Sequence, residues 1–129
     1  MASGQAEVSI DRSPDDVWKL LRDFGGIAEW MPGVETCVVD GDVRTLEMMG
    51  MQVKEQLRGL DEEAHAISYS LIESPIGNLE SHLVTIAVAP EGTGSHVTWT
   101  VEVTPDELLG LFLPIYEGSV IEIKKKVES

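Results

Sequence analysis

From residue 34 to residue 104, six stretches in turn mix apolar and polar side chains, and turn-forming residues cut them apart. No other feature constrains the fold as tightly. The stretches are 34–40, 43–49, 51–61, 65–73, 79–89 and 96–104. Gly41-Asp42, Gly50, Asp61-Glu62-Glu63 and "PEGTGS" (90–95) separate them. Residues 5–10, QAEVSI, alternate as well and read as a first strand. Short turns between consecutive strands predict an antiparallel meander. Such a sheet has one apolar face that something must cover.

The flanks supply helices. In "SPDDVW", Ser13 caps, Pro14 takes the first helical position, and Asp15 and Asp16 favour the helix dipole. Val17, Leu20, Leu21 and Phe24 form an apolar face that Gly25-Gly26 ends. A second short helix is expected over Ile27 to Met31, closed by Pro32-Gly33. The last segment opens on "TPDE", which predicts a capping box of Thr104 and Glu107 with Pro105 at the first position. An amphipathic helix then runs to about Val127, with Phe112, Tyr116, Val120, Ile123 and Val127 on one stripe and Pro114 inside it. Only this helix is long enough to cover the sheet. A curved sheet around one rod leaves a hollow.

Strand 51–61 contains a misfit. Met51, Val53, Glu55 and Leu57 share the apolar face, so a carboxylate points inward. Desolvating a carboxylate costs several kcal/mol (order of magnitude) unless it is paired or hydrated. No Lys or Arg shares that strand face. Either Glu55 bonds to a hydroxyl or buried water, or it faces a cavity and orients a polar group of a ligand. The cavity alternative predicts that burial raises its pKa.

The order of elements and the stretches "SPDDVWKLLRDFGGIAEWMPGVETC", "EQLRGLDEEAHAISYSL", "GNLESHLVTIAV" and "VTWTVEVTP" resemble the START-like or Bet v 1-like (SRPBCC) superfamily, in its polyketide cyclase/dehydrase branch. The resemblance implies an α+β helix-grip fold. In it a curved antiparallel seven-stranded sheet surrounds a long C-terminal helix, with two short helices after strand 1. That superfold hosts carriers, hormone receptors, cyclases and chaperone co-factors. The pocket pattern is also similar to the plant abscisic acid receptors. The receptors' fourth-strand glutamate falls on Glu55, their cavity-lining aromatic on Tyr69 and the apolar residue two further on Leu71. Met31 stands where the receptors carry a ligand-pairing lysine. The turn at Met49-Gly50 is too short for their gate, and "SPI" (74–76) replaces their latch. What carries over is a pocket geometry and not the hormone mechanism.

On this resemblance the ligand-binding set is Met31, Val34, Leu46, Met48, Glu55 and Leu57, together with Tyr69, Leu71, Leu79 and Ser81. Trp99, Phe112, Tyr116 and Val120 complete it. Alternation independently groups Tyr69 with Ile67 and Leu71, and Trp99 with Val97 and Val101. Strand 79–89 has two partly apolar faces. The resemblance favours Leu79, Ser81 and Leu83 inward and His82 outward. That would leave Val84, Ile86 and Val88 outside, either as a hint of a dimer face or as the mark of a strand read in the wrong register.

Composition bounds the function. The 129 residues predict one domain over 1–129. With 9 Lys+Arg against 23 Asp+Glu the net charge is -14, which disfavours nucleic acid and anionic membrane surfaces. No apolar run is long enough to insert in a membrane, and "MASGQAEV" lacks the pattern of a secretory signal. Cys37 is the single cysteine, which fits a reducing, cytoplasmic compartment. His65, His82 and His96 have no metal-ligand spacing, and no phosphate-cradling or nucleophile motif occurs, so neither metal nor cofactor is expected. A monomer or weak homodimer is expected. Two functions remain. One is binding or transport of a hydrophobic small molecule (lipid, polyketide-like or aromatic) in an internal cavity. The other is a metal-free cyclase, dehydratase or isomerase with Glu55 as general acid/base and Tyr69 or Tyr116 stabilising oxyanion charge.

Overall fold

The computed structural model describes residues 2–31, 33–48, 50–75 and 79–129. Pro32, Met49 and Ile76, named above in turns and in the latch counterpart, lie outside the described residues, as do Met1, Gly77 and Asn78.

Strand β1 (Ala2–Ile10) is followed by helix α1 (Pro14–Leu21) and a 3-10 helix (Phe24–Glu29). Six strands come next: β2 (Val34–Asp40), β3 (Val43–Met48), β4 (Met51–Asp61), β5 (Ala66–Glu73), β6 (Ser81–Glu91) and β7 (Gly94–Thr104). A 3-10 turn (Asp106–Leu108) leads into helix α2 (Leu109–Glu128). The seven strands form one antiparallel sheet in the order β1-β7-β6-β5-β4-β3-β2. The expected meander is therefore present, and β1 extends it by pairing with β7. This is the helix-grip fold the resemblance implied. No described helix is long and apolar enough to cross a membrane.

Local chemistry explains the elements. Ser13 Oγ accepts from Asp16 N at 3.3 Å, and Pro14 opens α1. Val17, Trp18 and Leu21 are the buried face, so Trp18 takes the place expected of Leu20. The second short helix lies earlier than its expected span and is of 3-10 type. It includes the two glycines, which favour a tight turn over a regular α-helix. The capping box at 104–107 does not form. Thr104 stays in β7 opposite Ser81, and its carbonyl accepts from Glu80 N at 2.8 Å. With Thr104 engaged in the ladder, α2 begins only at Leu109 and has no side-chain cap.

Helix α2 buries Phe112, Tyr116, Ser119, Val120 and Ile123 against the sheet. It packs directly over Gly4 of β1. A Cβ there would lie 3.2 Å from Leu113 and 3.3 Å from Leu109, so the bare backbone admits the helix.

Strand β6 corrects the expected register. His82, Val84, Ile86 and Val88 are buried, while Ser81 and Leu83 face the other way. They lie opposite Val103, Val101, Trp99 and Val97 of β7. Directly paired residues share a face in an antiparallel ladder, so the β7 core residues bring the β6 set inside with them. Val84, Ile86 and Val88 are interior residues and supply no dimer face.

Candidate functional site

The sheet and α2 leave a cavity of about 430 Å³. Its wall brings together Met31, Val34, Leu46 and Met48 from the β2–β3 side with Glu55, Tyr69 and Leu71 from β4 and β5. Trp99, Phe112 and Tyr116 close it from β7 and α2. Four expected members do not line it. Leu57 lies beside a register shift of β4, Val120 packs one turn further along α2, and Leu79 and Ser81 border a separate hollow at the β5–β6 edge. The wall also includes Ile27, Met51, Val53, Ser74, Pro75, Leu111 and Ile115. Met51 and Val53 were readable, since they share the Glu55 face by alternation. Met51, Leu111 and Ile115 are about half exposed and form the rim.

Glu55 has a partner that reading one strand at a time misses. Arg44, on the neighbouring strand β3, stands directly across from it. Its Nε donates to Glu55 Oε1 at 2.8 Å, and Nη2 lies 2.7 Å from the same oxygen. Nη1 donates to the Phe24 carbonyl at 2.8 Å. The guanidinium carbon is 4.2 Å from the Phe24 ring centroid and 4.4 Å from that of Tyr69, so an aromatic sandwich holds it. Arg44 is 3% exposed and Glu55 9%. No Lys or Arg shares the strand face of Glu55, and its partner comes instead from the strand beside it. Arg44 shares the parity of Leu46 and Met48, and the Met48–Met51 hairpin register leads straight to the Arg44–Glu55 pair.

Burial raises the Glu55 carboxyl above its ordinary value, against the pull of Arg44. Burial also works to lower Arg44, but Glu55 more than offsets it, and the guanidinium ends above its usual range. A buried arginine without a counter-charge is too costly to persist, so Glu55 stands as its carboxylate. Burial, then the Glu55 charge, raises Tyr69; burial, then Tyr69, raises Tyr116. Both phenols are therefore hydrogen-bond partners and not proton sources at neutral pH.

A second buried polar pair joins β6 to α2 beside Leu71, the residue paired with Glu55 across β4 and β5. His82 Nε2 is 2.8 Å from the Tyr116 hydroxyl, and Nδ1 accepts from Leu71 N at 3.1 Å. The ring also lies against Phe112, centroids 4.9 Å apart. Burial lowers His82 from 6.5 to about 4, so it is neutral at pH 7. The expectation of an outward His82 concealed this pair.

A model of the family described as polyketide cyclase / dehydrase and lipid transport matches residues 1–123. The chain belongs to this family. No curated protein matches the sequence. Among solved structures, the protein XoxI from Bacillus cereus is 25% identical with a TM-score of 0.91, covering 100% of this chain and 97% of that one. A protein from Bacillus thuringiensis is 24% identical with a TM-score of 0.90, covering 99% and 100%. A norcoclaurine synthase point mutant from Thalictrum flavum, in complex with a transition state analogue, is 20% identical with a TM-score of 0.71, covering 98% and 93%. These likenesses place the fold among Bet v 1-like proteins.

Proposed function

We propose that this protein binds an apolar small molecule, of lipid, polyketide-like or aromatic type, inside the cavity and carries or sequesters it. One observation supports this above the others. The cavity of about 430 Å³ is lined mainly by apolar side chains, and its ionised wall residue, Glu55, already has a built-in counter-ion in Arg44. An apolar wall and a neutralised charge favour a ligand that has few polar groups. The volume falls in the range of sites that enclose such molecules (roughly 300–1,000 Å³). The half-exposed rim of Met51, Leu111 and Ile115 supplies an entry that is itself apolar.

The test is a titration with N-phenyl-1-naphthylamine, whose fluorescence rises in an apolar site. Saturable 1:1 binding is expected. It should be lost in Val53→Trp, which fills the cavity, while the circular dichroism spectrum stays native. Binding that ignores Val53→Trp would remove the cavity from the function.

A second reading is cyclisation or dehydration of a carbonyl substrate. It is favoured by a carboxyl raised by burial in the same cavity as Tyr116. Against it, Glu55 is the counter-ion of Arg44, whose Nε donates to Oε1, and protonating that carboxylate would strand a buried cation. Turnover abolished in Glu55→Gln would favour the enzyme.

A further inference from the structure

Strands β5 and β6 pair at Ala66–Ala87, Ile67–Ile86, Ser68–Thr85 and Tyr69–Val84. At Leu71 the amide donates to the His82 ring. That bond fixes the state of the ring. A backbone amide can only donate, so Nδ1 carries no proton. The neutral imidazole then keeps its proton on Nε2 and donates it to the Tyr116 oxygen. The phenolic proton lies near the plane of its ring, in one of two positions. The incoming imidazole N–H blocks one of them, so the proton turns the other way. Among the described residues the hydroxyl has no further partner, and Tyr116 lines the cavity.

Glu55 has the opposite polarity. Its carboxylate accepts and cannot donate, and an acceptor-only ligand oxygen is repelled there. The cavity thus has a donor at Tyr116 on α2 and an acceptor at Glu55 on β4. We propose that the His82–Tyr116 pair selects ligands bearing a carbonyl oxygen, a ketone or aldehyde on an apolar skeleton, with that oxygen accepting from Tyr116. This rests on the binding function proposed above. Tyr116 is the contacting group and His82 the positioning residue. An apolar molecule of the same shape without the oxygen fills the cavity but leaves the hydroxyl unsatisfied.

Fluorenone and fluorene test this, because they share a ring skeleton and differ in one carbonyl. Titration of the full chain at pH 7 should show fluorenone binding about 10-fold tighter, as one satisfied buried hydrogen bond implies. Tyr116→Phe should abolish that preference. His82→Leu should reduce it, and His82→Gln, which keeps one acceptor and one donor, should restore it. A purely structural His82 would instead weaken both probes alike. The infrared carbonyl stretch of bound fluorenone gives a readout on the wild type alone: a shift to lower wavenumber is expected. Equal affinities with an unshifted stretch would overturn the selectivity and leave the binding function standing. Failure of both probes to bind would overturn both.

Discussion

The two buried polar pairs of the cavity solve one problem in opposite ways. Arg44–Glu55 is charged, spans two neighbouring strands and takes its geometry from a complete hairpin ladder. His82–Tyr116 is neutral, joins the sheet to α2 and sits where the β5–β6 ladder gives way to a side chain. The first neutralises its own charge within the sheet. The second has a hydroxyl proton to spare. Charge in the interior thus marks structure in this molecule, and the neutral pair marks where a ligand would be read.

The sharpest break of that contrast is Arg44→Leu. It leaves a carboxylate buried without a partner, and a loss of about 3–5 kcal/mol is expected in urea unfolding. Arg44→Leu combined with Glu55→Leu should recover most of it, because the cost is stranding and not the absence of the pair. A double variant as unstable as the single one would mean that Arg44 acts through its stacking on Phe24 and Tyr69.

Acid comes next. The folded His82 titrates near 4, the unfolded one near 6.5. Between these values the unfolded chain binds the proton and the folded one does not. Stability therefore falls as pH drops through that window, by up to about 3 kcal/mol. The bonds of His96 to Glu7 and Glu91 raise its pKa and act in the opposite sense, so the difference between wild type and His82→Gln isolates His82. A difference that stays constant from pH 7 to pH 4 would contradict a neutral buried imidazole.

Tyr116→Phe is milder. Removing the hydroxyl leaves the His82 N–H without its acceptor, and about 1 kcal/mol is expected in the unfolding midpoint. The control is exposed. Arg22 grips Glu62 with Nε and Nη2, and Trp18 Nε1 adds a bond at 2.7 Å; together these hold Glu62 at about 2. Arg22→Ala should give the smallest shift of the set, and it should vanish in high salt. A larger loss than that of Arg44→Leu would reverse the ranking of buried over exposed pairs.

Much of this was legible. Period-two alternation sets strand faces without any tertiary information, so Tyr69 and Trp99 could be placed inside from the sequence, while Leu46 and Met48 came with the resemblance. Ser13 and Pro14 announce α1 through backbone donors that need an acceptor. Two parts were legible only through pairing. Counting back from the Met48–Met51 turn puts Arg44 against Glu55, and counting back from Glu91–Gly94 puts Ile86 against Trp99. The second count turns His82 inward.

By itself the amino-acid order determined which side chains share a strand face, where the turns fall, and that one acid had to sit inside. The tertiary structure alone decided what that acid meets. It also decided that β5 releases β6 beyond Tyr69, that a histidine ring takes the freed amide, and that α2 brings a phenol to that ring. The physical reason is range. Alternation and capping are settled within a few residues, whereas Leu71, His82 and Tyr116 meet only once a curved sheet has closed on its helix.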